Sequence, residues 1–226
     1  MRLILIRHGQ TESNLHHRLD TAEPGAPLTE LGWEQARALV PTLAAEDIAV
    51  IAASVLQRTQ QTAQPLAQQR GLAVLVRNGI REIGAGELEM REDKESGALY
   101  MKVAFEWAEG NVSESLPGGP DGATVLGDFD AAVAELESRL PSLEATAVIF
   151  SHGGILRTWL AARADNMDTA FASAHPLSNT AIVIATGSAA AGWHVEAWEG
   201  EPILGPAADV LDDPTGQSHP EQAEGQ

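Results

Sequence analysis

The chain has 226 residues, 44% of them hydrophobic, which is enough to fill the core of one domain of ordinary size. Fourteen basic and 32 acidic residues give a formal net charge of −18, so binding to nucleic acid or to an anionic membrane surface is not expected. There is no cysteine, which excludes disulfides, thiolate metal sites and a thiol nucleophile.

The first residues predict neither a membrane span nor a secretion signal. No apolar run approaches the ~20 residues that cross a bilayer, and the chain enters a strand without a basic head and a long apolar segment. We therefore expect a cytoplasmic protein. An anionic substrate must be attracted by a few arginine and histidine side chains, because the overall field of so acidic a molecule repels it.

A short apolar run at Leu3–Ile6 predicts the first strand, which ends at Arg7, His8 and Gly9. Ligands of open α/β sheets bind outside the carboxyl ends of the strands, so residues directly after a buried strand are candidates for function. An arginine fork matches phosphate or carboxylate oxygens, and a histidine can be acid, base, nucleophile or metal ligand. An isolated arginine-histidine pair is more often an exposed loop, so its meaning depends on the rest of the chain.

The next segments repeat the plan of a strand followed by a helix. An amphipathic helix is predicted from Thr29 to about Glu46, interrupted by Pro41, and a short strand follows at 48–53. Arg58 then lies in the first turns of a second helix, where unpaired backbone N–H groups attract anions. Its position alone fits an anion ligand and a solvated helix charge equally well.

A third strand is predicted at Leu72–Val76 and leads to Arg81 and Glu82. Residues 91–122 are acidic and irregular around one predicted helix, and they end in a loop rich in proline and glycine at 117–122. We interpret the segment 91–122 as an insertion or lid over the strand ends.

The carboxyl-terminal half supplies another strand, turn and helix. A strand at Ala147–Phe150 ends in Ser151–Gly154, and the next helix begins at Ile155. Two final strands are predicted at Ala181–Ala185 and Trp193–Trp198. Ahead of these elements, an apolar stripe with alternating spacings of three and four predicts an amphipathic helix, formed by Leu126, Phe129, Val133, Leu136, Leu140 and Leu143.

These elements predict an α/β protein with three layers, α/β/α, in which a mostly parallel central sheet is flanked by helices. We expect residues 1–206 to form a single domain that includes the lid. Residues 207–226 are rich in Pro, Gly, Asp, Glu and Gln and have no apolar periodicity, which predicts a disordered acidic tail.

Four of the predicted strand ends carry residues that belong together chemically. If these ends meet in one crevice, it contains Arg7, His8, Arg58, Glu82 and His152. Cationic donors would hold three phosphate oxygens, a histidine would supply a nucleophile, and a carboxylic acid would protonate a leaving oxygen. No other cluster in the chain offers a comparable set.

The chain resembles the histidine phosphatase superfamily, in the branch that also contains the cofactor-dependent phosphoglycerate mutases. Five motifs carry the resemblance over roughly residues 1–200, in the order expected for that family. They are Leu5–Asn14, Pro27–Gly32, Ser54–Ala63, Arg81–Ile83 and Ser151–Arg157. An Arg-His-Gly triplet alone is a weak signal, but five ordered motifs are a specific match and imply a phosphoglycerate mutase-like fold.

The resemblance implies a role for each residue of the predicted crevice. His8 would be the nucleophile that becomes phosphohistidine, and Glu82 would act as general acid and then as general base. The phosphoryl group and the substrate would be held by Arg7, Arg58, His152, Asn14, Gln10 and the backbone N–H of Gly153. Such a site needs neither metal nor cofactor, because an in-line nucleophile and preorganised positive charge suffice for phosphoryl transfer.

Three departures from the mutase pattern favour a phosphatase. Gly86–Met90 stands where many family members carry Gly-Glu-Trp-Glu-Gly, and His16–Thr21 replaces an aromatic segment of the mutases. Gly154 follows Gly153 where mutases usually carry asparagine. Because loops rather than folds decide function, we expect a phosphoric monoester hydrolase of the histidine acid phosphatase type, with a mutase as the alternative.

The expected partner is a small-molecule phosphomonoester, and the chain is also compatible with a homodimer. His8, Glu12, His16 and His17 are close in sequence and raise the hypothesis of a metal hydrolase, but an arginine beside the first ligand would repel a dication. The non-enzymatic hypothesis is a phosphate-binding or interaction module on the same scaffold. The presence of both a nucleophile and an acid argues against it.

Overall fold

The computed structural model describes residues 1–142 and 144–202; Leu143 of the predicted stripe and the predicted tail at 207–226 lie outside the described residues. The strands are β1 (Arg2–Arg7), β2 (Ile48–Ser54), β3 (Val74–Arg77), β4 (Thr146–Ser151), β5 (Ile182–Ser188), β6 (Gly192–Trp198) and β7 (Glu201–Pro202). The helices are α1 (Glu12–Leu15), α2 (Glu30–Thr42), α3 (Gln57–Arg70), α4 (Lys94–Ala108), α5 (Gly122–Arg139), α6 (Gly153–Arg163) and α7 (Thr169–Ala174). Among these helices, none combines the length and the apolar character needed to cross a bilayer.

The described strands form one mixed sheet with the order β3-β2-β4-β1-β5-β6-β7. The four strands from β3 to β1 pair in parallel, and β5, β6 and β7 extend the sheet by antiparallel pairing. Parallel neighbours cannot be joined by a tight hairpin, so helices provide the connections between them. The predicted α/β class is confirmed.

The first strand shows why the protein has three layers. Side chains alternate between the two faces of a strand. Leu3 and Leu5 belong to the hydrophobic core on the side of α4, α5 and α6, whereas Ile4 and Ile6 belong to the core on the side of α2 and α3. All four side chains are fully buried. A strand that is apolar on both faces requires a helical layer on each side, which confirms the α/β/α arrangement.

Two predicted boundaries differ from the structure. Helix α2 is shorter than predicted and ends at Thr42, with Pro41 in its last turn. The strand predicted from Leu72 begins at Val74, because Gly71 ends α3 in a left-handed conformation with φ of +66°. Neither difference changes the topology.

The register of the sheet brings two predicted strand ends together. Arg7 of β1 lies opposite Ser151 of the parallel neighbour β4. His8 and His152 are the next residues of their chains, so both leave the sheet at the same edge. β2 pairs with the other side of β4 and ends nearby at Ser54. Three neighbouring carboxyl ends thus converge at one edge of the sheet.

A glycine in α2 lets this helix approach the turn after β1. A Cβ atom on Gly32 would overlap the carbonyl oxygen of Gln10, so the close approach requires glycine. The backbone N–H of Thr29 donates to the same carbonyl at 2.9 Å. The Pro27–Gly32 motif therefore supports the turn that follows His8.

Candidate active site

His8 lies at the centre of the residue cluster, directly after β1. Its Nδ1 atom is 2.7 Å from the carbonyl oxygen of Gly9. A carbonyl only accepts hydrogen bonds, so this contact assigns the hydrogen of the neutral ring to Nδ1 and leaves a lone pair on Nε2. Arg58 Nε donates a hydrogen bond to that Nε2 atom at 3.0 Å.

Both histidines of the cluster are held in the neutral form. Burial, followed by the charges of Arg58 and Arg7, keeps the pKa of His8 well below its usual value. Burial, followed by the charge of Arg58, does the same to the pKa of His152. The two rings meet edge to face, with centroids 5.2 Å apart. Near neutral pH the Nε2 atom of His8 therefore stays unprotonated and accepts the hydrogen bond from Arg58.

The two predicted arginines approach the histidines from different elements. Arg58 is only 4% exposed in the first turn of α3, and its Nη2 group donates to the carbonyl oxygen of Asp20 at 2.8 Å. Arg7 is fully buried at the end of β1, and its Nη1 group donates to the carbonyl oxygen of Leu177 at 2.6 Å. Both guanidinium groups are thus fixed by backbone carbonyls in a region of low dielectric, where charge acts strongly.

Glu82 lies against the amino-terminal end of α6. Its Oε1 atom accepts from the backbone N–H groups of Ile83 at 3.0 Å and Ile155 at 2.8 Å, and Oε2 accepts from Gly154 at 3.1 Å. A Cβ atom on Gly154 would lie 2.8 Å from Oε1, so the absence of a side chain there makes room for the carboxylate. The helix terminus favours a negative charge at this position.

A small cavity opens above these groups, with about 20 Å³ for the centres of water-sized molecules, which is room for roughly one or two waters. Five of the eight predicted site residues line it, namely His8, Asn14, Arg58, Glu82 and Gly153. Arg7 and His152 are fully buried behind the lining. Gln10 does not line the cavity either.

The contacts of Gln10 and Asn14 explain their different placements. Gln10 Oε1 accepts a hydrogen bond from Thr29 Oγ1 at 3.0 Å, so this side chain faces the start of α2. Asn14 Oδ1 accepts from Thr11 N at 3.0 Å and from Asn179 Nδ2 at 3.2 Å. Because the amide oxygen of Asn14 is occupied by protein donors, its NH₂ group is the part suited to an incoming phosphate.

Several cavity residues are not among the eight predicted site residues; Thr11 and Ser13 belong to the motif Leu5–Asn14, and the others belong to no motif. The additional lining residues are Thr11, Ser13, Arg18, Leu19, Asp20, Thr21 and Tyr100. Tyr100 is the only tyrosine of the chain and comes from α4, within the predicted lid. Its hydroxyl donates to the carbonyl oxygen of Ile83 at 2.8 Å, and burial, followed by the nearby Glu82, raises its pKa well above the usual value.

Thr21 joins the loop after α1 to the segment after Glu82. Its backbone N–H donates to Glu89 Oε1 at 2.8 Å, and its hydroxyl contacts both Glu89 Oε2 and the backbone N–H of Ala85. The carbonyl oxygen of Thr21 accepts from Arg81 Nη2 at 2.9 Å. Glu89 thus anchors a loop, whereas Glu87 is exposed. The side of the cavity formed by this loop is held by contacts between distant parts of the chain.

The proposed metal ligands of the hydrolase hypothesis are not gathered around one point. His16 Nε2 lies 3.9 Å from Glu12 Oε2, and both side chains are exposed to solvent. Within residues 1–142 and 144–202, no group of three His, Asp or Glu side chains is arranged to hold a metal ion. Another histidine, His175, stacks on Phe171 with ring centroids 4.0 Å apart.

The chain is similar in sequence to curated proteins from several bacteria, two of which are described here. The chain is 36% identical over 216 residues to a PE-PGRS family protein of Mycobacterium tuberculosis, covering 90% of this chain and 37% of that protein. It is 33% identical over 135 residues to a Cronobacter sakazakii protein named probable phosphoglycerate mutase GpmB, covering 60% of this chain and 59% of that protein. The chain therefore spans between about a third and three fifths of the length of these two curated relatives.

A solved structure of a mycobacterial glucosyl-3-phosphoglycerate phosphatase in complex with VO3 is also similar. The two chains superpose with a TM-score of 0.74 at 26% identity, covering 88% of this chain and 99% of that one. The family model described as histidine phosphatase superfamily, branch 1, matches residues 3–200. This range contains every motif and every cavity residue described above, and the chain belongs to the histidine phosphatase superfamily.

Proposed function

We propose that the protein is a phosphomonoester phosphatase that works through a phosphohistidine on His8 without a metal. The observation that carries this proposal is the environment of the His8 ring. Nδ1 is held by the carbonyl oxygen of Gly9, and Nε2 lies 3.0 Å from Arg58 Nε. A neutral imidazole with a fixed Nε2 lone pair beside a guanidinium has the features of a nucleophile that meets a phosphoryl group.

In the first step Nε2 of His8 attacks phosphorus, and the bond from phosphorus to the ester oxygen breaks. Arg58, Arg7 and His152 stabilise the phosphoryl oxygens as charge redistributes. The negative charge of the bound phosphate disfavours an ionised carboxyl beside it, so in the substrate complex Glu82 acts as the acid, transfers its proton to the leaving alkoxide, and the alcohol departs. The products of this half-reaction are the alcohol, a phosphohistidine and the Glu82 carboxylate.

In the second step water attacks the phosphohistidine opposite the Nε2 atom. Glu82 takes a proton from the water as general base, the bond from phosphorus to Nε2 breaks, and inorganic phosphate leaves. The ring returns to the neutral form with its hydrogen on Nδ1, as the contact with Gly9 requires. Each proton and electron pair is accounted for without a further reactant.

The similarity to the mycobacterial glucosyl-3-phosphoglycerate phosphatase supports hydrolysis and suggests sugar-linked phosphoglycerates as the first substrates to test. The relative named probable phosphoglycerate mutase supports the alternative of a mutase. A mutase must hold a bisphosphorylated acid, but two arginines beside this cavity already contact carboxylates. Arg18 lies 3.5 Å from Glu92, and Arg81 lies 3.4 Å from Glu23. This pairing favours hydrolysis over mutase activity.

Turnover of an aryl phosphate by wild type and His8→Ala tests the proposal. We expect His8→Ala to abolish hydrolysis, because no other imidazole lines the cavity among the described residues. His194→Ala removes an exposed histidine that contacts Asp165 and serves as the matched control. A His8→Ala protein with full activity would refute the proposed function. Transfer of phosphate from 2,3-bisphosphoglycerate to a phosphoglycerate, faster than its release into water, would establish the mutase instead.

A further inference from the structure

The second histidine of the site has a fully buried hydroxyl partner on the neighbouring strand end. His152 Nε2 lies 2.7 Å from Ser54 Oγ, and both side chains are fully buried. The other ring nitrogen, Nδ1, is equally shielded and has no hydrogen-bond partner among the described residues. The ring packs against His8, which lines the cavity, so we take the missing partner of this buried nitrogen to be a bound ligand.

The hydrogen bonds around Ser54 limit which atom carries each hydrogen. Ser54 Oγ accepts from the backbone N–H of Leu56 at 3.1 Å and lies 3.0 Å from Thr59 Oγ1. Thr59 Oγ1 is also within 2.8 Å of the carbonyl oxygen of Leu56. The single hydroxyl hydrogen of Ser54 can therefore point either to His152 or to Thr59.

The charges around His152 decide which arrangement serves phosphate binding. Arg58 approaches from α3, His8 and Arg7 from the end of β1, and Arg81 from the segment after β3. With burial, they keep the pKa of His152 well below its usual value, so the free ring is neutral and carries one hydrogen. A neutral ring can donate to a phosphoryl oxygen through Nδ1 only if its single hydrogen is on Nδ1, and a donor to Nε2 favours that tautomer.

We propose that Ser54, backed by Thr59, is a positioning residue that donates to His152 Nε2 and thereby keeps the His152 hydrogen on Nδ1, facing the phosphoryl group. The hydroxyl groups of Ser54 and Thr59 can also accommodate a protonated His152 ring. If His152 gains a second proton as an anion binds, Nε2–H donates to Ser54 Oγ and the Ser54 hydrogen turns to Thr59 Oγ1. In either state Nδ1 remains a donor. The identity of the ligand as a phosphoryl group rests on the proposed function, but the position of the hydrogen on the His152 ring does not.

Nitrogen chemical shifts of the histidine rings test the position of the hydrogen without any assay of activity. In uniformly labelled full-length protein, the His152 signals are identified by their loss in His152→Asn. We expect the Nδ1–H tautomer in wild type, both free and with inorganic phosphate, and a shift towards the Nε2–H tautomer in Ser54→Ala. An Nε2–H tautomer in wild type, or an unchanged tautomer in Ser54→Ala, would overturn the inference.

The two hydroxyl residues have different expected effects on catalysis, which separates a positioning role from general packing. Ser54→Ala should lower kcat/KM for an aryl phosphate about tenfold, as expected for one lost hydrogen bond, and Ser54→Cys should restore part of it. Thr59→Val should change kcat/KM less than about twofold at neutral pH, because Ser54 can still donate to Nε2. Equal losses of kcat/KM in Ser54→Ala and Thr59→Val would contradict the assignment of Ser54 as the donor to His152 Nε2.

Thr158→Val is the matched control for loss of a buried hydroxyl. Thr158 is fully buried in α6, and its hydroxyl has no partner in the part of the chain that the structure describes. We expect wild-type tautomers and wild-type kcat/KM for this variant. Should Ser54→Ala fail to fold, the wild-type tautomer and Thr59→Val still decide the inference. An inactive wild type with the Nδ1–H tautomer would refute the phosphatase proposal alone, and an active one with the Nε2–H tautomer would refute only this inference.

Discussion

The floor and the rim of the cavity are built in different ways. The floor consists of Arg7, His8, Arg58 and His152, each at most 4% exposed and each placed within a few residues of a strand end. The rim consists of the loop at 18–23 and of Arg81 and Glu89, which hold it. Its arginines are about one third exposed and contact carboxylates, as Arg18 does with Glu92.

This difference separates reactivity from substrate selection. The floor concentrates positive charge where water is excluded, so under the proposed function its side chains would act strongly on a phosphoryl group. The rim neutralises its own cations and is tied together by Thr21 and Glu89, which are 68 residues apart in sequence. Changes in the floor should therefore reduce catalysis for every phosphomonoester, whereas changes in the rim should alter which substrate is preferred.

After the loss of His8 itself, the largest effect is expected at Arg58. Arg58→Ala removes the donor to His8 Nε2 and should lower kcat for an aryl phosphate by ~10²–10³, the cost of one preorganised donor to a developing charge. Arg58→Lys should recover only part of the activity, because lysine lacks the planar fork. Arg37→Ala, an exposed arginine of α2, is the control. A loss of less than about tenfold in Arg58→Ala would mean that the floor does not concentrate the catalytic charge.

A smaller loss of kcat is expected when the proposed acid, Glu82, is displaced rather than replaced. Gly154→Ala places a methyl group 2.8 Å from Glu82 Oε1, so the carboxylate must leave its position at the start of α6. We expect kcat to fall by up to ~10² for an alkyl phosphate and much less for a nitrophenyl phosphate, whose leaving group needs little protonation.

Gly127→Ala provides the control for a glycine in a helix, because a Cβ atom there meets open space in α5. It should retain wild-type activity and gain slightly in stability. Equal losses for alkyl and nitrophenyl phosphates in Gly154→Ala would argue that Glu82 is not the proton donor.

A rim substitution should change stability and substrate preference while sparing the chemistry. Thr21→Val leaves the buried N–H of Ala85 without its acceptor and should lower the free energy of unfolding by about 1–3 kcal/mol. We expect an altered ratio of kcat/KM values across a panel of phosphomonoesters and a nearly unchanged kcat for nitrophenyl phosphate. Thr42→Val, at an exposed threonine, is the control. If kcat falls equally for all substrates, the rim and the floor are not separable.

The smallest predicted effect is on how the free energy of unfolding depends on pH. The pKa values of His8 and His152 are lowered from 6.5, chiefly by burial, so below that pH the unfolded chain binds protons that the folded protein excludes. The free energy of unfolding should therefore decrease as the pH falls from about 6.5 towards about 5, and these groups add no slope above that range. Urea denaturation across this range measures the slope, with His16→Asn as the control for an exposed histidine.

The double variant His8→Asn/His152→Asn should show a shallower dependence of unfolding free energy on pH than wild type. An identical slope in both proteins would show that the two rings are not held neutral by the fold. This outcome would weaken the argument that the floor is a dry, positively charged environment.

The sequence predicts the floor well because its residues lie next to strand ends. The apolar run at Leu3–Ile6 and the strand before His152 define both the sheet and the residues that leave its edge. Gln10 shows the limit of predicting a site from strand ends, because its position two residues after His8 does not reveal that its side chain contacts Thr29.

The rim could not be predicted for a physical reason. The contact of Thr21 with Glu89 and the arrival of Tyr100 from α4 depend on how loops of irregular sequence fold over the sheet. Neither hydrophobic periodicity nor a turn signal encodes such long-range polar pairs. Ser54 is an intermediate case, since it belongs to a recognised motif but its contact with His152 across the sheet becomes evident only from the register of β2 and β4.

The most direct test of the account is to trap the phosphorylated enzyme and identify the modified nitrogen. Wild type mixed with a rapidly cleaved aryl phosphate and quenched under alkaline denaturing conditions should contain one phosphohistidine per chain, mapped to His8 and attached at Nε2. The contact of Nδ1 with the carbonyl oxygen of Gly9 predicts that nitrogen and excludes the other. Phosphate attached to Nδ1, or rapid turnover with no phosphohistidine under any quench condition, would contradict the central claim.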